Sequence, residues 1–243
     1  MLGAGAGHAA EIRVMISGAL TAAYLELKPQ FEGATSNKVL TLTTTMGTGL
    51  NSIPNRLQRG EPVDVVIVDD AALDDMIKRG KVLASSKVPL GRSSIGIAVQ
   101  AGAPKPDISS VEALKRTLLR AKSIAYSASV SGTYVSTELF QRLGIADQVS
   151  MKSHRIDHER VGAVVARGEA EIGFQQISEL LPIQGIDVVG PLPPEVQRST
   201  LFTAGVTVSS KEPDAAGAFI KFLASPSASP AIVRSGIEPV LPH

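Results

Sequence analysis

Three times along this chain a short apolar, strand-like run gives way to a knot of glycine and hydroxyl residues, and the knot opens a helical segment. The knots are Ser17-Gly18-Ala19, Thr43-Thr44-Thr45-Met46-Gly47-Thr48-Gly49 and Ser127-Ala128-Ser129-Val130-Ser131-Gly132-Thr133. A helix start carries unpaired backbone N–H groups and the positive end of the helix dipole, so several starts facing one cleft hold a small anion. Taken singly, each knot reads as well as a cap or turn. Three of them on one alternating pattern point to a binding site.

The alternation runs along the chain. Strands are predicted near 11–16, 38–44, 63–68, 94–99, 124–126, 148–152, 172–175, 188–189 and 203–208. Helices are predicted near 20–31, 50–60, 71–79, 111–120, 134–143, 161–167, 178–181 and 213–224. The run Val63-Asp64-Val65-Val66-Ile67-Val68 is nearly continuous in apolar residues, the pattern of a strand covered on both faces of a parallel sheet. Strands alternating with helices predict α/β architecture, and in open sheets of that kind ligands sit beyond the carboxyl ends of strands, where the knots lie.

Composition closes off other classes. With 24 basic and 23 acidic residues interspersed, net charge +1, there is no basic stripe for nucleic acid. No apolar run approaches 18 residues. Cysteine is absent, which excludes thiol catalysis, disulfides and cysteine-ligated metals. Tryptophan is absent and aromatic residues are 4%, leaving little for stacking sugars or bases. There is no G-x-S-x-G, phosphate loop or dinucleotide fingerprint, so neither a nucleotide nor another cofactor is expected. The chain is read as a monomer. The stretch Met1 to Ala10 is small and apolar, ending Gly7-His8-Ala9-Ala10; it reads either as the tail of an export signal whose earlier part was removed or as an unstructured terminus.

Several segments carry a resemblance: Ile12–Thr21, Arg59–Ile67, Gly91-Arg92-Ser93-Ser94, Arg167–Phe174 and Phe222-Leu223-Ala224-Ser225-Pro226. Together they resemble the periplasmic substrate-binding proteins of the molybdate-binding type, over about Glu11 to Val240. The resemblance implies a type II periplasmic-binding-protein fold: two α/β lobes, each an open mixed sheet flanked by helices, with the ligand cleft between them. The lobes would be 10–91 plus 196–243, and 92–195, with hinge strands near Ser94–Val99 and Thr200–Val208. It also implies a periplasmic location and, as partner, an ABC-transporter permease.

In molybdate binders serines of the first two knots and a tyrosine after the strand matching Ile172–Gln175 hold the ligand. Here those places carry Ala19, Met46-Gly47-Thr48 and Gln176. Each buried acceptor left unmet costs about 1–3 kcal/mol, so a tetrahedral oxyanion is disfavoured. An amide at Gln175 or Gln176 and the guanidinium of Arg92 suit a di- or tricarboxylate better. The expected ligand-binding set is Ser17, Gly18, Met46, Gly47, Thr48, Arg92, Ser129, Val130, Ser131, Gly132, Thr133, Gln175 and Gln176.

Two functions remain open. One is a receptor that closes on a small carboxylate. The other follows from Gln175-Gln176 and Thr45-Met46-Gly47-Thr48, which also resemble the periplasmic aconitate isomerases. Those interconvert cis- and trans-aconitate, which requires a base. Candidates are Asp69 and Asp70, which follow the 63–68 strand, with His154 and Tyr134. The ordinary role of Asp70 at that place is to cap the helix at 71–79, and that role is preferred over the base. His154 and His158 have a helical metal spacing but straddle a strand end and a helix start, so no metal is expected.

Overall fold

In the first lobe, β-branched and apolar residues build β1 (Glu11–Ile16), β2 (Lys38–Leu42) and β3 (Val65–Asp69), with β1 parallel to both neighbours. The computed structural model describes residues 9–42, 44 and 49–240; Met46, Gly47 and Thr48 of the second knot lie outside the described residues. Between these strands run α1 (Thr21–Thr35) and α2 (Ile53–Gln58), and α3 (Asp70–Lys78) leaves β3 directly. Successive residues of a strand point to opposite faces, and both faces are covered. Ile12, Val14, Val65 and Ile67 pack with Tyr24, Phe31 and Phe219 on one side, while Met15, Val66 and Val68 pack with Leu57, Leu73 and Met76 on the other.

The long strand β4 (Val88–Gln100) carries the chain into the second lobe. There follow α4 (Val111–Arg120), β5 (Ile124–Ser127), α5 (Val130–Tyr134) and α6 (Phe140–Arg142), the last two joined by one wide helical stretch over Val135–Leu139. Next come α7 (Ala146–Ser150), β6 (Ser153–Ile156), α8 (Val161–Ala166), β7 (Ile172–Gln176), α9 (Ile177–Leu180) and β8 (Ile186–Pro191). The chain returns through β9 (Ser199–Val206) and ends in α10 (Pro213–Leu223), α11 (Ser229–Arg234) and β10 (Glu238–Pro239).

The strand order is β2-β1-β3-β9-β4-β7-β5-β6, with β8 and β10 also on β4. Residues 88–94 of β4 pair antiparallel with β9, and residues 95–100 pair with β7 and β8, so this one strand belongs to both sheets. Around the second sheet, Ile95, Ile97 and Phe174 pack with Leu114, Leu118 and Phe140; Ala125 packs with Val161 and Val165 on the opposite face.

Local expectations hold for most elements, and several elements depart from them. The segment 148–152 is the end of helix α7 and the turn after it, and the strand follows at Ser153–Ile156; Val149 is buried while Met151 is exposed by 91%, which the shared face of a strand would not give. The strand foreseen at 94–99 is 13 residues long, because its two halves serve different sheets. Helix α11 was not foreseen; its segment is short and rich in serine and proline.

Candidate functional site

The carboxyl ends of β1, β5 and β7 converge on an inter-lobe cavity of about 330 Å³. The first lobe lines it with Ser17, Gly18, Thr21, Thr41 and Thr44. The second contributes Ser127, Ser129, the loop Ile156–Arg160, Gln175 and Glu179. Its volume is that of a small-molecule site.

Ser17 follows β1 in an extended conformation, and its N–H donates to Ile67 O at 2.8 Å. That bond ties the knot to β3. The Ser17 side chain is buried, and among the described residues its Oγ has no hydrogen-bond partner. Thr44 Oγ1 donates to Ile16 O at 2.9 Å, and Thr41 Oγ1 bonds the Tyr24 hydroxyl at 2.7 Å. Opposite, the hydroxyls of Ser127, Ser129 and Ser131 form a triangle with sides of 2.7, 3.1 and 3.2 Å. Gly132 makes this possible: a Cβ there would lie 1.7 Å from the Ser127 carbonyl oxygen. Ser131, Gly132 and Thr133 thus stand behind Ser127 and Ser129, supporting the wall without lining it.

The most distinctive group is Glu179, on α9. It is 7% exposed and lies against Gly18 of the other lobe, where a Cβ would come within 1.9 Å of its Oε1. Burial pushes its pKa up to about 7, with Arg160 and a hydrogen bond from Gln175 pulling the other way. Gln175 is committed at both ends, because its Oε1 also accepts from Val161 N, the first N–H of α8, at 2.9 Å. It therefore orients Glu179 instead of offering a free amide to a ligand.

The loop before α8 supplies charge. Asp157 is held by Arg155 at 2.8 Å and Glu159 by Arg167 at 2.8 Å. Half-buried Arg160 has no carboxylate within ion-pair range among the described residues, and faces the cavity with His158. A smaller recess of about 10 Å³ sits behind Glu179, lined in part by Asp69, Ser129, Val130 and Gln176. Gln176 Nε2 donates to Thr200 Oγ1 at 3.0 Å, while its Oε1 has no partner among the described residues.

Several expected site residues stand elsewhere. Arg92 is exposed on β4, opposite Leu201 and Glu238, because strand alternation turns Ser93 inward and Arg92 outward. Asp70 is not the helix cap: Asp69 Oδ1 accepts from Ala72 N at 3.0 Å, and Asp70 turns to Lys87 at 2.8 Å. Tyr134 is buried in the second lobe, donating to Val196 O at 2.7 Å. His154 is exposed on β6 and does not line the cavity, whereas His158 does. Glu179, Arg160, Thr21 and Thr41 were missed. A lone acid within the apolar run Ile177-Ser178-Glu179-Leu180-Leu181 was the available signal.

The chain matches the model of the bacterial extracellular solute-binding proteins over residues 12–238. It is 45% identical to an aconitate isomerase from a Pseudomonas species over 94% of this chain and 88% of that protein. To the molybdate-binding protein ModA of Azotobacter vinelandii it is 27% identical over 97% of this chain and 94% of the other. Among solved structures, the periplasmic molybdate-binding protein of Azotobacter vinelandii superposes with a TM-score of 0.74 at 20% identity, covering 96% of this chain and all of the other. The sulfate-binding protein SubI of Mycobacterium tuberculosis gives 0.72 at 17% identity, over 97% of this chain and 88% of its own. No helix among the described residues is long and apolar enough to cross a membrane. With a cleft between two α/β lobes of type II periplasmic-binding architecture and a family match over nearly its whole length, this chain belongs to the bacterial extracellular solute-binding proteins.

Proposed function

We propose that this protein is a periplasmic isomerase built on a solute-binding scaffold, interconverting cis- and trans-aconitate by allylic proton transfer. The observation that carries this reading is Glu179, a buried carboxylate in the wall of an anion-sized cavity, its pKa pushed up to about 7. In a receptor for anions such a group opposes the ligand; in an isomerase it is the base. The 45% identity to an aconitate isomerase supports the same assignment.

Glu179 takes a proton from the substrate methylene. The electron pair spreads over three carbons, and a proton returned to the former vinyl carbon moves the double bond. The rotamer in which the methylene arm was held sets the new double bond's geometry. Arg160, the Ser17 hydroxyl, which has no partner among the described residues, and backbone N–H groups after β1 and β5 hold the carboxylates and spread the developing charge. Residues 10–91 with 196–243, and 92–195, are the lobes that close around the substrate.

A second reading, a non-catalytic receptor passing a di- or tricarboxylate to an ABC-transporter permease, is favoured by the family match over residues 12–238. Proton NMR of cis-aconitate incubated with the protein in heavy water separates the two. The isomerase reading expects trans-aconitate to accumulate, and Glu179→Gln to lower the rate at least about a hundredfold while retaining binding. No conversion over hours at high protein concentration leaves the receptor.

A further inference from the structure

We infer that this site takes up its polycarboxylate together with a proton, and that Glu179 is the group that carries it. The inference rests on the reading of the cavity as a carboxylate site, and it follows from how charge is distributed around that cavity.

Glu179 is buried between the lobes, against Gly18, and reaches the cavity wall. The groups facing it come from several elements. The turn after β1 presents Ser17 and Gly18, and the end of β3 presents Asp69. From β7 come Gln175 and Gln176, while the loop before α8 supplies Arg160 and His158. On the β4 side of α9 the contacts are Gly96 against Ile177 and Ser93 Oγ against Ser178 Oγ at 3.1 Å, neither of them charged. Arg160 is therefore the one guanidinium among these groups that offsets Glu179, since Arg155 and Arg167 are occupied by Asp157 and by Glu159 with Glu169.

A ligand carboxylate entering the cavity competes with Glu179 for Arg160. It also brings negative charge of its own into a space from which water is displaced. Two anions in one desolvated site cannot share one cation at no cost, so the weaker acid accepts a proton. In the empty protein burial already pushes Glu179 up to about 7, so the added charge moves its titration through the neutral range. Two behaviours follow. At lower pH the complex holds Glu179 protonated and retains its ligand without turning it over. At higher pH the ionised form is available as the base, so the acid limb of kcat lies at higher pH than the acid limb of kcat/KM.

The test uses tricarballylate, the saturated tricarboxylate, which has no double bond to move. Titration calorimetry at pH 7.5 in phosphate and in Tris, buffers of very different ionisation enthalpy, reads the protons exchanged on binding. The wild type is expected to take up a fraction of a proton, at most about three quarters, since about a quarter of a carboxyl that titrates near 7 is already protonated at pH 7.5. Glu179→Gln should bind with no uptake, and Arg92→Ala, at an exposed position outside the cavity, should leave uptake as it was. Binding without uptake, or uptake that persists in Glu179→Gln, overturns the inference and leaves the isomerase to its NMR assay. Uptake without any aconitate turnover retains the proton coupling and removes the isomerase. Failure of the wild type to bind tricarballylate overturns the inference, while the isomerase stands or falls on its NMR assay.

Discussion

At Glu179 the chain pays stability for a chemical group. The carboxyl pKa rises from 4.5 to about 7 on folding, so between those values the folded state binds more protons than the unfolded state. Stability accordingly falls as pH climbs from about 4.5 to about 7, and stays lower above that. Replacing Glu179 with Gln should leave stability near pH 4.5 little changed and raise it at pH 8 by up to about 3 kcal/mol. Urea denaturation at the two pH values checks this, and a variant no more stable at pH 8 contradicts the burial argument. Arg92 gives the opposite case. It is exposed and outside the cavity, so Arg92→Ala should leave tricarballylate affinity unchanged in the same calorimetry.

The knots act as parts of elements. The start of α5 lies against the end of β5 only because residue 132 has no side chain; the atom its Cβ would strike is the Ser127 carbonyl oxygen, fixed in a strand. Gly132→Ala should cost at least about 3 kcal/mol, since backbone cannot yield as a flexible side chain does. Gly217 lies in α10 with nothing within 4 Å of the position its Cβ would take. Gly217→Ala should therefore stabilise by about 0.5–1 kcal/mol through helix propensity alone. Thermal melts of both variants give opposite signs if the geometry at the two glycines is as described.

For the molecule as a whole, the ligand is a bridge between lobes. A ligand that binds only the closed, folded protein at a hundred times its Kd stabilises it by about 2.7 kcal/mol. In a chain of 243 residues that corresponds to a rise in Tm of roughly 5–11 °C, at 2–4 °C per kcal/mol. Aconitate and tricarballylate should produce such a shift and molybdate should not, because a compact dianion next to Glu179 meets a like charge without the extended contacts of a tricarboxylate. A large molybdate shift with none from the carboxylates would reverse the ligand assignment.

Much of this architecture was legible in the residues. The continuous apolar run at 63–68, the alternation of strands and helices and the three knots implied two-faced parallel sheets with a site at the strand ends, since these are consequences of local pattern. Ser17, Gly18 and Ser129 were named from that pattern and Gln175 from the family resemblance, and all four line the cavity. Side-chain direction was not legible. Whether Arg92 or Ser93 faced inward depended on which residues of β4 pair with β9, and Asp69 rather than Asp70 became the cap through one step of backbone phase. Above all, Glu179 sits 161 positions after Gly18, the residue it packs against. Local sequence determined the strands, the helix starts and the polar knots; only the closure of one lobe on the other decided which acid was desolvated, because burial is a property of what the rest of the chain places on top of a residue.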